Sequence, residues 1–279
     1  MPELPEVETM VRQLRPRLVG RTVTSAAVHW PRTVARPSAR RFREGVSGRR
    51  IEALGRRGKY FLFDFDDGRS LVGHLRMSGR LFLVEPGEQD RRAEHTRASF
   101  DLDDGRRLVF VDVRKFGRLA LVRRPEEAMP ALGPEPLSPE LDGAWMATAL
   151  RSRRRMLKPL LLDQSFLAGL GNIYVDESLH RAGLHPLRLS DRVPRAKAEA
   201  LAAAIREVLT AAIEADGSSF DTFYRTPEGQ PGRFQDTFMV YGRHGKPCRT
   251  CGATIRRIVV GQRGTHLCPR CQSAPRNRR

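Results

Sequence analysis

At 279 residues and 40% hydrophobic composition, the chain is long enough for two domains with cores of their own and too apolar for a disordered protein. Its 50 Lys+Arg against 32 Asp+Glu leave a formal net charge of +18, which points to a polyanionic partner, nucleic acid before any other. No apolar run approaches the roughly 18 residues of a membrane span, and residues 1–20 mix acids and bases where a signal peptide would be apolar. The expectation is a cytoplasmic protein with no membrane partner.

The chain opens MPELPEVE over residues 1–8. Removal of the initiator would expose Pro2 as a secondary amine. An α-amino group has a pKa of about 7.7–8 against about 10.4 for lysine, so much more of it is a free nucleophile near neutral pH. Glu3 and Glu6 place carboxylates beside it, as proton transfer would want. The same residues also read as the start of an ordinary helix, with Pro5 at its first turn and Val7, Met10, Val11, Leu14 and Leu18 as an apolar stripe. The two readings are compatible, since a packed helix would anchor a reactive terminus.

Residues 22–30 and 51–65 then alternate like half-buried strands, and shorter runs follow at 69–75, 80–84, 98–102, 107–112 and 118–122. Close spacing and Asp-Gly or Ser-Gly turns predict an antiparallel sandwich or barrel over 1–130. Four prolines between 130 and 143 mark a linker. Helical periodicity takes over at 143–151, 156–164, 172–182 and 194–215, giving a helical domain over 131–235 that ends in a Gly- and Pro-bearing segment (216–235) read as a mobile loop. Residues 236–279 form a third, cysteine-bearing unit.

All four cysteines lie there: Cys248, Cys251, Cys268 and Cys271 give C-x2-C-x16-C-x2-C. That spacing suits one structural zinc ion held by four thiolates in a reducing compartment, and His266 is not needed as a ligand. Between the pairs, two strand-like runs flank GQRG, predicting a hairpin with Gln262 and Arg263 at its tip. A guanidinium there can fork onto a phosphate or can simply be solvated; the pattern does not choose. At 169–171 a Gly-rich double turn leads into a helix near Asn172, a junction able to grip phosphate but equally able to be a plain αα-hairpin.

The MPELPEVE opening, the string KPLLLDQSFLAGLGNIYVDESLHRAGLHP and the cysteine hairpin together resemble the formamidopyrimidine-DNA glycosylase family of bifunctional base-excision repair enzymes. The resemblance implies an α+β multidomain fold: an N-terminal antiparallel β-sandwich with an N-terminal helix, then a helix–two-turn–helix domain with a zinc-ribbon finger. It implies Pro2, Glu3, Lys59 and Arg263 as catalytic residues, Lys59 lying on the strand read from the alternation of 51–65. It also implies DNA contacts by His95, Arg114, Arg153 (Arg154 being the near neighbour), Lys158 and Asn172. Met77, Arg114 and Phe116 would fill the space left by an everted base. The implied activity is removal of oxidised purines from duplex DNA through a Pro2 iminium, followed by abasic-site cleavage by β,δ-elimination. A sister type acting on oxidised pyrimidines and a catalytically silent zinc-ribbon DNA-binding protein are the competing readings. Met77, Arg114 and Phe116 weigh against the first; the Pro-Glu start, Lys59 and Arg263 weigh against the second.

Overall fold

The computed structural model describes residues 2–88, 92–220 and 224–275. It divides into two compact units, Met1–Ala131 with Ala215–Arg233, and Leu132–Glu214 with Phe234–Arg279. The finger thus groups with the helices. The segment read as a loop of the helical domain groups instead with the N-terminal unit.

In the first unit, helix α1 (Leu4–Leu18) turns the stripe Val7, Met10, Val11, Leu14, Leu18 inward, every member essentially without exposure. Nine strands follow: β1 (Thr22–Val28), β2 (Val34–Arg36), β3 (Arg49–Arg57), β4 (Tyr60–Phe65), β5 (Ser70–His74), β6 (Gly79–Val84), β7 (Thr96–Leu102), β8 (Arg107–Asp112) and β9 (Arg118–Val122). Their order is β2-β9-β5-β4-β3-β1-β7-β8-β6. Only Thr22↔Arg50 and Val23↔Arg49 join β1 to β3, so the ladder bends there into two layers. Phe61, Phe63 and Phe65 from one layer and Leu81, Phe100 and Phe110 from the other share a core with α1. All pairings are antiparallel except β2 with β9, which is parallel, a departure from the all-antiparallel expectation.

Two local differences from the sequence reading have plain causes. The run 51–65 is not one strand: Gly58, at φ 56°, and Lys59 make a two-residue turn, and Arg57 pairs back onto Tyr60. Lys59 therefore sits in the turn, not on a strand. Helix α2 (Ala39–Val46) was hidden in an arginine-rich stretch, where Phe42 and Val46, one turn apart, are its buried large side chains, and Ser38 caps it.

The second unit packs α3 (Gly143–Arg151), α4 (Leu157–Leu162), α5 (Asn172–Arg181) and α6 (Arg195–Glu214) around Leu150, Leu160, Tyr174, Leu201 and Ile205. The proline-rich stretch before α3 is tied down by Arg206, whose guanidinium donates to the carbonyls of Leu137, Ser138 and Leu141. Strands β10 (Arg256–Val260) and β11 (Arg263–Leu267) form the hairpin of the finger. Among the described residues no helix is long and apolar enough to cross a membrane.

Candidate active site

Pro2 is buried and Glu3 is only 3% exposed at the N-cap of α1. A capping box fixes this start: the Glu3 side chain serves the Glu6 amide, and Glu3 N–H donates to Glu6 Oε2 at 2.7 Å. Glu6 Oε1 accepts from the Ser218 amide at 2.8 Å, and the Tyr224 hydroxyl donates to the Glu6 carbonyl at 3.4 Å. The segment around Ser218 is thereby built onto the helix start, with Ser218, Tyr224 and Thr226 buried, instead of lying loose. Residues 221–223 of that segment lie outside the described residues.

One turn along α1, Glu8 accepts from Arg12 Nε at 2.7 Å and Arg56 Nε at 2.8 Å, and Arg56 Nη1 donates onward to the Gly58 carbonyl at 2.9 Å. Burial pushes the Glu8 carboxyl up, but the two guanidinium groups win and hold it below its ordinary value. The result ties the Gly58–Lys59 turn to the helix that carries Pro2 and Glu3.

Met77 and Phe116 stand out as exposed apolar side chains, 37% and 48% accessible. Each follows a non-glycine residue in the left-handed region, Arg76 at φ 56° and Lys115 at φ 60°, the kind of backbone strain that collects at functional sites. The surroundings hold both turns in place. His74 Nδ1 accepts from the Arg76 amide at 2.9 Å, which requires a neutral ring. Burial first, then the charges of Arg76 and Lys59, lower the His74 pKa to about 3, so it is neutral at neutral pH. Asp112 cross-ties the two turns: its Oδ1 accepts from Ser78 Oγ at 2.5 Å and the Arg114 amide at 3.2 Å, its Oδ2 from the Gly117 amide at 2.6 Å. A side chain at Gly117 would strike the Phe110 ring at 2.4 Å, so the turn closes only around glycine. Arg114 is exposed and lies 4.9 Å from the Phe116 ring centroid. His95, half-buried, ends a short 3-10 turn before β7.

In the second unit the double turn between α4 and α5 is stapled by Gln164. Its amide nitrogen donates to Leu162 and Leu170 carbonyls at 2.9 Å, and its oxygen accepts from the Gly169 amide at 3.0 Å. Asp163 accepts from Ser165 and Arg155, and these bonds lower its pKa to about 2. Asn172 opens α5 and donates to the Gly264 carbonyl at 3.0 Å. Arg153 is exposed and folds over Phe166, 5.4 Å from the ring centroid, while Arg154 leans toward Asp191. Lys158 differs from expectation. It has 0% exposure and its Nζ bonds to Asp176 Oδ1 at 2.6 Å and the Gly264 carbonyl at 3.1 Å, so it is a buried tie and not a surface cation.

Arg263 also shifts slightly. Gly261 and Gln262, at φ 55° and 63°, form the two-residue turn, and exposed Arg263 is the first residue of β11, paired with Val260 beside the tip. The four cysteine Sγ atoms lie within 4.8 Å of one another, with Cys251–Cys268 at 3.4 Å and Cys248–Cys271 at 3.9 Å. A tetrahedral Zn–S bond of about 2.3 Å implies sulfur–sulfur edges of roughly 3.8 Å, so the set fits zinc. Amides of Thr250 and Cys271 point at the sulfurs of Cys248 and Cys268, as thiolate ligands need, and His266 takes no part in the cluster.

Three family models match the chain: the formamidopyrimidine-DNA glycosylase N-terminal domain over residues 1–119, its H2TH domain over 132–224, and the zinc finger found in FPG and IleRS over 245–274. The formamidopyrimidine-DNA glycosylase of Heliobacterium modesticaldum is 47% identical over 277 residues, covering 98% of this chain and all of that one. The chain belongs to the formamidopyrimidine-DNA glycosylase family. It is therefore a DNA-repair enzyme of the base-excision class. The Chloroflexus aggregans glycosylase is 48% identical over 98% of both chains. Among solved structures, the MutM (FPG) protein of Thermus thermophilus superposes with a TM-score of 0.87 at 44% identity, over 99% of this chain and all of that one. The Lactococcus lactis FPG in complex with FAPY-dG-containing DNA gives 0.87 at 36%, over 98% of this chain and all of that one. The glycosylase fold also reveals residues that sequence reasoning missed. Asp112, two residues before an Arg-Lys-Phe-Gly turn, carried a legible turn-closing signal. His74, Arg56 and Asp176 did not, because their partners are set by the fold.

Proposed function

We propose that the chain excises oxidised purines, such as 8-oxoguanine and formamidopyrimidines, from duplex DNA and then cuts the abasic strand. The observation that carries this reading is the fixed start of α1, where a capping box holds Glu3 directly after Pro2 and Glu8 links the same helix to the Lys59 turn. With the initiator removed, the Pro2 nitrogen attacks C1′ and the glycosidic bond breaks, the base leaving with a proton from the Glu3 carboxyl. The proton that the Pro2 nitrogen sheds returns Glu3 to its acid form. Glu3 passes a proton to the sugar ring oxygen, opening it to an iminium. The cation acidifies C2′: loss of that proton expels the 3′ phosphate, and a second elimination expels the 5′ phosphate. Lys59 and Arg263 hold the phosphates that flank the reacting sugar.

An oxidised base must leave the stack to expose C1′, at a cost of a few kcal/mol. Met77, Arg114 and Phe116 refill the gap, and their rigid turns suit that task. His95, Arg153 and Asn172 grip the backbone. One zinc ion on Cys248, Cys251, Cys268 and Cys271 stiffens the hairpin of Arg263. The enzyme acts as a cytoplasmic monomer.

Duplexes carrying 8-oxoguanine or an oxidised pyrimidine, incubated with borohydride, test the reading. The expected result is a covalent adduct and strand cleavage with the purine lesion, both lost when an uncleavable N-terminal extension blocks Pro2. Trapping by the blocked protein would remove Pro2 from the mechanism. Preference for the pyrimidine would assign the sister specificity, and binding with no chemistry would make the chain a silent reader.

A further inference from the structure

Hairpin β10–β11 is a two-stranded ribbon, a unit that is marginal unless something holds it. Zinc would fix only one end, since Cys268 directly follows β11. Arg263 lies at the other end of that strand, roughly 16 Å away at about 3.3 Å per residue. The second anchor is on the free edge of β11. Gly264 C=O and His266 N–H point to one edge, and neither is left to water. Gly264 O accepts from Lys158 Nζ at 3.1 Å and Asn172 Nδ2 at 3.0 Å, and His266 N–H donates to Asp176 Oδ2 at 2.8 Å. The other Asp176 oxygen takes the Lys158 ammonium at 2.6 Å, and both side chains have 0% exposure.

The geometry points to Lys158 and Asp176 as positioning residues for Arg263: their buried ion pair pins β11 to helices α4 and α5 and so sets where the guanidinium is presented. The inference rests on the reading of Arg263 as a phosphate-holding residue. Two fully desolvated charges are a costly way to gain stability, and well-packed apolar residues would do as well. What they supply is direction. A lysine ammonium shared between a carboxylate and one carbonyl fixes the strand beside Arg263, where an apolar contact would let it slide. Lys158, wholly enclosed, acts through Arg263 and not on DNA itself.

K158M/D176N removes both charges together, leaving neither buried alone, while the new amide oxygen can still accept from His266 N–H. Zinc content and thermal unfolding should stay near wild type. Cleavage of a lesion duplex should fall by on the order of 10²-fold, the usual effect of a misplaced group. In an R263A background the same pair of substitutions should cause no further loss, because there is no guanidinium left to place. A loss of equal factor in both backgrounds would mean a merely structural role and would overturn the proposal, as would wild-type cleavage by K158M/D176N. If R263A itself cut like wild type, the reading of Arg263 would fall, which is a different failure. A measurement on the unmodified protein guards against misfolding of the variant: the His266 amide should exchange slowly with solvent. Exchange as fast as an exposed loop amide would remove the pin.

Discussion

Glu3 holds two positions at once, N-cap of α1 and proposed acid for base release, and a single substitution separates them. Glu3→Gln keeps an oxygen able to serve the Glu6 amide, so the helix start and the place of Pro2 should survive. What it cannot do is give an acidic proton. Releasing a base needs that proton, worth roughly 10²–10⁴-fold, whereas a preformed abasic site has no base to release and presents an electrophilic aldehyde. E3Q should therefore lose excision of 8-oxoguanine by that order and keep most of its cleavage at abasic sites, measured on two labelled duplexes in parallel. Equal loss of both, with normal folding and affinity, would take base release away from Glu3. At this scale the sequence was informative about chemistry and silent about support. Pro2 and Glu3 could be picked out by residue type, but Glu8–Arg56–Gly58, which holds the Lys59 turn, spans positions with no shared pattern.

At the scale of elements, the two turns after β5 and β8 work as one part because Asp112 accepts from both. Each turn alone reads as an ordinary loop, and the strands around them, with their alternating apolar residues, were legible; the cross-tie was not, since Ser78 and Asp112 become neighbours only when β6 pairs with β8. Asp112→Ala would leave the Gly117 amide and Ser78 hydroxyl without their acceptor, at about 1–3 kcal/mol of stability. The larger effect should be on base eversion. With 2-aminopurine opposite the lesion, the fluorescence rise that reports unstacking should shrink strongly in D112A, while borohydride trapping on an abasic single strand, where nothing must be extruded, should stay close to wild type. A full fluorescence rise in a folded D112A would detach Met77 and Phe116 from eversion. Similar logic explains why α2 is not legible in the sequence: over Ala39–Val46 its only large buried side chains are Phe42 and Val46, and its exposed side chains are charged.

For the molecule as a whole, the net charge of +18 announced the polyanionic partner but cannot say how many phosphates are touched. Many cations are already spoken for inside the fold: Arg17 by Glu85, Arg56 by Glu8, Arg69 by Asp67, Arg106 by Asp104 and Lys158 by Asp176. Only charges that reach a phosphate release counterions, so the salt dependence of duplex affinity counts them directly, at a slope of about −0.9 per neutralised phosphate. Arg114 and Arg153 are exposed, with guanidinium groups resting on aromatic rings and no carboxylate bridged to them among the described residues. R114A and R153A should each flatten the slope by about 0.9. From sequence, Lys158 stood in the same class, and only its complete burial against Asp176 moves it out. K158M/D176N placed in an R263A background, where no guanidinium is left to misplace, should accordingly leave the slope of R263A unchanged, because Lys158 itself neutralises no phosphate. Titrations of a fluorescent lesion duplex from low to moderate salt would measure all three. A further flattening by about 0.9 when K158M/D176N is added to R263A would mean that Lys158 leaves its pocket to meet the DNA, and that the ion pair is a resting state broken on binding.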